Sequence, residues 1–430
     1  MNNLAMELNS TLENTVTGRL LSCMGRRLYF PNGIIAQSAE AKISAHVANA
    51  TIGMAFNRDK PLTLSAVTEN MSTFKPDEVV VYAPTAGIEQ VRNIWKASII
   101  EKNPSVEGGR ISLPAVVPGI TAGISYTADL FLDEGQSVIV SEPCWDNYNL
   151  IFSERRGAEI LTTPFFNSGP GLNMAAIGRT VRNAAKSGAV RIILNFPNNP
   201  SGYTPTKAEA EGLISLIREI AEEGADVLVI CDDAYFGLYY EDDIYQESLF
   251  SRLSSLHERI LAVKIDGPTK EEFVWGLRTA FLTFGSRGME DRHYAALTKK
   301  LMGAIRSSVS CSNTSAQYLT IKTLTDKRTD PEKAKYRELL KERYLAIKQF
   351  VKNMPNHPIL SPLPFNSGYF MSFKCNGINS EILRQELLSK HGIGTISLGE
   401  HFLRVAYSSV DKEKIPLMYR IIYNTAESLR

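Results

Sequence analysis

Short apolar runs of strand length alternate with longer amphipathic stretches from residue 79 to residue 284, and this alternation constrains the fold most. Strands are expected at 137–141, 190–195, 226–231, 260–263 and 279–284, and helices at 88–101, 125–132, 173–186 and 207–223. Strands separated by amphipathic helices predict an α/β fold: a mainly parallel sheet covered on both faces, with ligands collecting at the carboxyl ends of its strands. Beyond residue 287 the pattern turns helical, at 297–305 and 314–323. A charged connection at 326–335 leads to a long helix at 335–353. Strand-like runs at 369–374 and 401–407, a helix at 380–391 and a closing helix from 411 then suggest a smaller α+β domain. The expected division is an N-terminal arm contributing to the small domain (1–60), a large domain (61–315) and a C-terminal small domain (316–430). No repeat or low-complexity block interrupts it.

Composition removes several function classes. Forty-seven basic residues against 46 acidic ones give a formal charge of +1, which leaves no electrostatic footprint for nucleic acid or a membrane surface. The six histidines form no HxxxH or HExxH pair, so no metal site is expected. The five cysteines, Cys23, Cys144, Cys231, Cys311 and Cys375, are scattered and odd in number, as expected of reduced thiols. With an N-terminus unlike a signal peptide and no apolar run of spanning length, a cytoplasmic protein is expected.

Chemistry-bearing residues gather at the ends of the expected strands. Lys270 lies between the last two, eight residues before Arg278. A desolvated lysine loses its proton readily and can form a Schiff base with an aldehyde, and a guanidinium suits a phosphate. Alone, such a lysine is more often a solvated loop residue. Asn199, in NNPSG, can present an amide to a cleft or simply mark a surface turn. Asp232 and Asp233 end a strand before Tyr235. Because a strand alternates its faces, only one of the two carboxylates is expected in a cleft. A turn at Gly123 before a helix would leave the N–H groups of Gly123, Ile124 and Ser125 free for an anion, although such a turn is weak on its own. Trp145, after a strand and a proline, could stack on a planar ring or belong to the core.

In chain order the series runs Tyr82 in YAPTAGIEQVR, Gly123 in TAGIS, Trp145 in EPCW, Asn199 in NNPSG, Asp232 and Tyr235 in DDAY, Lys270, Arg278 and Arg404 in FLRVAY. It resembles the class I/II aminotransferases of pyridoxal phosphate (PLP) fold type I, closest to their aspartate aminotransferase-like branch. The resemblance implies a large domain with a mainly parallel seven-stranded sheet. It also implies a Schiff base between PLP and Lys270, which then carries a proton during transamination between an amino acid and a 2-oxo acid. Asp232 would pair with the pyridinium, Asn199 and Tyr235 with the phenolic oxygen, and Trp145 would stack on the ring. Gly123, Ile124, Ser125 and Arg278 would hold the phosphate. Tyr82 would reach the phosphate of a second subunit, making a homodimer the working unit. Arg404 would grip the substrate carboxylate beside Gly53, with FPNG at 30–33 part of a lid. Arg306 stands where the aspartate-specific branch carries an arginine for a side-chain carboxylate, or serves only as a helix-end cation.

Two departures stand out. Gly267 occupies the place where many relatives have a hydroxyl residue for the phosphate, with Thr269 nearby, and Glu271-Glu272 follows the lysine where a small or aromatic residue and glycine are usual. Those carboxylates could alter the lysine's protonation or face solvent. The same residues would also serve a PLP-dependent β-lyase. A PLP-binding regulator is disfavoured, since the N-terminal segment is too short and too weakly basic for a DNA-binding domain.

Overall fold

The structure is a computed structural model describing residues 1–430 apart from Asn32, Glu107, Gly109, Ser168, Pro355 and Asn356, so the lid segment FPNG falls partly outside the described residues. Its centre is a seven-stranded sheet of β1 (Ala115–Val117), β2 (Ser137–Glu142), β3 (Glu159–Pro164), β4 (Ala189–Asn195), β5 (Asp226–Asp232), β6 (Ile260–Asp266) and β7 (Ala280–Gly285). The strands lie in the order β1-β7-β6-β5-β4-β2-β3, and β7 runs antiparallel to both its neighbours. The other pairings are parallel.

Alternation explains why these runs are apolar throughout. Val227, Val229 and Cys231 of β5 pack into one buried cluster with Val181, Leu213 and Ile217, whereas Leu228 and Ile230 join another with Ile124, Leu301 and Ile305. Both faces are therefore covered, and each fully buried aliphatic side chain stabilises the fold by about 1.5–3 kcal/mol. The helices Met174–Ala185 and Lys207–Glu222 cover the first face, and Ile120–Phe131 and Asp291–Arg306 the second. Thr206 and Glu209 close a capping box at the start of Lys207–Glu222, which explains its sharp onset after the turn.

The direction of β7 decides where the functional side chains gather. Phe281 lies opposite Asp266 and Ala280 opposite Val117, so the end of β6, the start of β7 and the end of β1 meet at one edge. The carboxyl ends of β4 and β5 share that edge, with Asn195 beside Asp232.

A second sheet contains Leu360–Pro362, Phe370–Cys375, Phe402–Ala406 and Ile396–Leu398 in that order, all antiparallel. Ala48–Asn49 runs parallel to Ile393–Gly394, and Gln37 exchanges two hydrogen bonds with the Ser397 backbone. The arm divides: Arg27 donates to the Glu154 carbonyl of the large-sheet region at 2.9 Å, while residues from Gln37 onward join the second sheet. Helix Thr329–Lys352 links the two regions and begins inside the charged stretch expected to be a connection. Among the described residues no helix is long and apolar enough to cross a membrane.

Candidate active site

Asp232 ends β5 and faces a cavity of about 120 Å³ lined also by Ile120, Thr121, Trp145, Asn195, Asn199, Tyr235, Thr269, Lys270 and Arg278. Asp233 points the other way, where its carboxylate meets Lys264 at 2.5 Å and accepts from the Ser248 hydroxyl at 2.6 Å. The expected split of the two carboxylates is thus what the strand geometry produces. Tyr148 donates to Asp232 Oδ2 at 2.5 Å, while buried Oδ1 has no hydrogen-bond partner. Burial raises the Asp232 carboxyl to about 6, against the opposing pull of Tyr148 and Lys270.

Lys270 sits in the one-turn helix Pro268–Glu271 immediately after β6. Desolvation lowers its amine to about 8, with Asp232 pulling upward and Arg278 pushing further down. The Nζ atom lies 4.8 Å from the centre of the Tyr235 ring. Burial raises the phenol of Tyr235, which therefore stays protonated at neutral pH. Thr269, 3% exposed, lines the same cavity, and its buried hydroxyl has no partner. At Gly267 a Cβ would stand 2.9 Å from both the Thr279 carbonyl oxygen and the Ala280 Cα, which leaves no room for the hydroxyl residue usual in relatives.

The helix start expected to face an anion lies earlier in the chain than the sequence suggests. Helix Ile120–Phe131 begins at the cap Gly119, whose φ of 94° is accessible chiefly to glycine. The Gly123 N–H is already bonded to the Gly119 carbonyl at 3.2 Å, Ile124 is fully buried, and Ser125 lies farther along the helix. Gly123 is a glycine for packing, since a Cβ there would come within 2.7 Å of Ile265 Cγ2. The uncommitted N–H groups at this helix start belong to Ile120, Thr121 and Ala122. Arg278 lies directly against Gly119, where a Cβ would stand 2.5 Å from Nη2. Its backbone is left-handed (φ 51°), a conformation costing a non-glycine residue about 1–2 kcal/mol.

Arg404, 1% exposed, enters from the second sheet. It donates to Asn199 Oδ1 at 3.0 Å and to the Thr51 carbonyl at 2.9 Å, lies 4.4 Å over the Phe370 ring, and keeps a buried Nε without a partner. Burial lowers its guanidinium to about 10. At Gly53 a Cβ would approach both the Tyr235 hydroxyl and Phe370 Cζ to 3.2 Å, so this backbone borders the same space. Asn195 orders the floor, donating to the Asp232 carbonyl and accepting from the Asn199 N–H, both at 2.7 Å.

Lys270, Asp232, Tyr235, Asn199, Trp145 and Arg278 thus share one cavity, with Arg404 and Gly53 beside it. Besides Gly123, Ile124 and Ser125, two expected residues stand outside. Tyr82 is 88% exposed, and Arg306 is exposed with its guanidinium on the Ser310 hydroxyl at 2.5 Å. Sequence reasoning missed Tyr148, Asn195 and Thr121, and noted Thr269 only as a hydroxyl residue near Gly267. The spacing of Tyr148 from Trp145 and the strand-end position of Asn195 were the available signals. No cluster of metal-ligating side chains occurs among the described residues.

Comparison with known proteins agrees with this geometry. The family model "Aminotransferase class I and II" matches residues 54–421. An aspartate aminotransferase of Pyrococcus horikoshii is 25% identical over 357 residues, covering 79% of this chain and 82% of its own. An aminotransferase from Anaerococcus prevotii superposes with a TM-score of 0.82 at 23% identity, over 93% of this chain and 98% of the other. A kynurenine aminotransferase from Pyrococcus horikoshii gives 0.78 at 16% identity, over 96% and 99%. The chain belongs to the class I and II aminotransferases, a family of PLP-dependent enzymes with the type I fold.

Proposed function

We propose that this chain uses PLP to move an amino group from an L-amino acid to a 2-oxo acid, with Lys270 as the covalent anchor and proton carrier. The observation that carries the reading is an amine brought to about 8 beside a buried carboxylate oxygen with no partner, in one cavity. The residues fit the cofactor at both ends. Asp232 Oδ1 is placed to accept from a protonated ring nitrogen, an attraction of about 4 kcal/mol at 4 Å and effective dielectric 20. The Thr269 hydroxyl, Arg278 and the N–H groups of Ile120 and Thr121 would hold the phosphate, replacing Gly123, Ile124 and Ser125 in that role.

When bound, PLP supplies an electron sink for the charge left on the substrate's α-carbon. The neutral Lys270 amine would accept the proton from the substrate's α-carbon and hold it as an ammonium for return. Arg404 holds the substrate carboxylate, which would engage the unpartnered Nε and compete with Asn199 for the guanidinium. Because Asn199 spends its amide oxygen on Arg404, its Nδ2 donors remain for the phenolic oxygen, alongside the Tyr235 hydroxyl. Trp145 covers the ring.

A homodimer is proposed as the working unit, with Tyr82 and Arg306 reaching the neighbouring site. The solvent-facing run Val79, Val80, Val81 and Tyr82, 47–88% exposed, supports it. Arg306 and the relatives named aspartate aminotransferase favour a dicarboxylic substrate. The domain division at about residues 60 and 315 rests on the two sheets, and a cytoplasmic setting on five free cysteines. Mixing the PLP-loaded protein with aspartate, glutamate, phenylalanine or alanine alone tests the reading. Loss of the yellow chromophore with one oxo acid formed per site is expected; release of ammonia and pyruvate would instead identify a β-lyase.

A further inference from the structure

Glu271 and Glu272, the two carboxylates directly after Lys270, are 6% and 1% exposed. Consecutive acids on a loop ordinarily face water, and burying them unpaired would cost several kcal/mol each. Here they meet cations from distant elements. Lys333 Nζ reaches Glu272 at 2.6 Å and Glu271 at 3.1 Å. Glu271 also accepts from Lys102 at 2.8 Å and Arg337 at 3.0 Å. The three cations hold Glu271 well below the usual carboxylate range despite its burial, whereas burial and the neighbouring Glu271 push Glu272 upward.

Lys333 and Arg337 come from the opening turns of helix Thr329–Lys352. Ten residues after Lys333, about 15 Å along the axis, Arg343 of the same helix donates to the Ser408 carbonyl at 2.5 Å and meets Asp411 at 3.4 Å. Ser408 follows closely on the strand that carries Arg404. One helix is therefore clamped at one point to the turn bearing Lys270 and at another to the strand bearing Arg404. From the opposite side Tyr369, adjoining the second sheet, donates its hydroxyl to the Lys270 carbonyl at 3.1 Å.

We propose that Glu271, through Lys102, Lys333 and Arg337, is a positioning residue that fixes Lys270 relative to Arg404, with helix Thr329–Lys352 as the spacer between them. This rests on the proposed role of Lys270. The groups facing the amine itself are Asp232, Arg278 and the Tyr235 ring; the ion cluster lies behind its backbone. Removing the Glu271 charge would leave Lys102, Lys333 and Arg337 underneutralised there and disfavour the ammonium form.

Glu271→Gln, and Lys102→Gln as a milder variant at the half-exposed rim of the cluster, would test this. For Glu271→Gln we expect kcat to fall about tenfold or more per loaded site with KM changed far less, since misplacing a reacting group costs more in turnover than in binding. In cofactor-free protein, the Lys270 amine, followed by the pH dependence of its reductive methylation, should titrate lower. Lys102→Gln, which removes one of the cations, should move that titration the opposite way. Arg384→Met, which removes a buried guanidinium from the partly exposed carboxylates of Glu381 and Glu40 beside the second sheet, is the stability control. Equal kcat and an unshifted Lys270 titration in Glu271→Gln, whatever its thermal stability, would overturn the inference. Activity retained by Lys270→Ala would overturn the underlying reading, whereas an inactive Lys270→Ala beside a normal Glu271→Gln would remove only the positioning role.

Discussion

The two ends of the large sheet are built from the same strands and differ in one physical respect. At the amino ends a groove of about 820 Å³ runs past Arg191, Asp226, Arg259, Met289 and Lys300. Arg259 pairs with Asp226 at 2.7 Å, Arg191 donates to the Phe131 carbonyl at 2.8 Å, and none of the described residues lining the groove has a buried side-chain polar atom without a partner. At the carboxyl ends the cavity has about 120 Å³, yet it contains an unpartnered carboxylate oxygen and an unpartnered hydroxyl, with an unpartnered guanidinium nitrogen beside it. Buried polar groups left without partners cost the fold free energy, and although others occur elsewhere, at Thr283, Tyr419 and Tyr423 among them, these three gather at one cavity. Cavity size favours the amino end of the sheet, and unmet hydrogen-bonding capacity favours the carboxyl end, where the proposed site lies.

Substitution of Lys270 should separate the two ends most sharply. Lys270→Ala is expected to lose the covalent anchor and a proton carrier contributing about 10²–10⁴-fold, leaving turnover near background. Borohydride treatment should fix the vitamer on position 270 of the unaltered chain and leave the variant unlabelled. Arg404→Ala should follow, raising KM for every amino acid about 10–100-fold through the lost charged hydrogen bonds. Arg306→Ala should weaken dicarboxylic substrates alone; equal losses for aspartate and alanine would withdraw the dicarboxylate assignment.

The pH dependence of PLP binding comes next in size. The Asp232 carboxyl, raised to about 6, is ionised above that pH, and only the ionised form attracts a protonated ring nitrogen. The Lys270 amine, lowered to about 8, is neutral and able to join the aldehyde above that pH. Affinity should therefore fall about tenfold per unit below pH 6, and the rate of covalent attachment should rise up to about pH 8 and then level off. An absorbance titration across pH 5–9 checks both limbs. Asp232→Asn should remove the lower limb and move the upper one to lower pH, because Asp232 pulls the Lys270 amine upward.

Much of this edge could be read from the chain because strand periodicity and turn residues are local signals. The ends of β4, β5 and β6 fell close to where apolar runs stopped, which put Asn199, Asp232 and Lys270 together. The misreadings arose where a distant contact sets the local choice. Gly123 looked like a turn glycine, but its missing side chain accommodates Ile265 of β6, and the helix starts earlier at a glycine shaped by Arg278. Residues 326–335 read as a charged segment ahead of the long helix, because the partners of Lys333 lie at Glu271 and Glu272, far away in sequence. Paired with those carboxylates, the stretch is helical from Thr329. Gly267 is settled by the same kind of contact, the close passage of the Thr279–Ala280 backbone.

The amino-end groove supplies the smallest expected effect and the cleanest check on the comparison. Arg259 and Asp226 keep side-chain exposures of 45% and 72%, so solvent screens their attraction and the pair contributes about 0–1 kcal/mol. Arg259→Ala should leave PLP affinity, kcat and KM unchanged and shift the melting temperature by no more than about 2 °C. If it instead weakened PLP binding, the polar groups of the larger groove would have to be counted as functional. Unmet hydrogen-bonding capacity would then no longer distinguish one end of this sheet from the other.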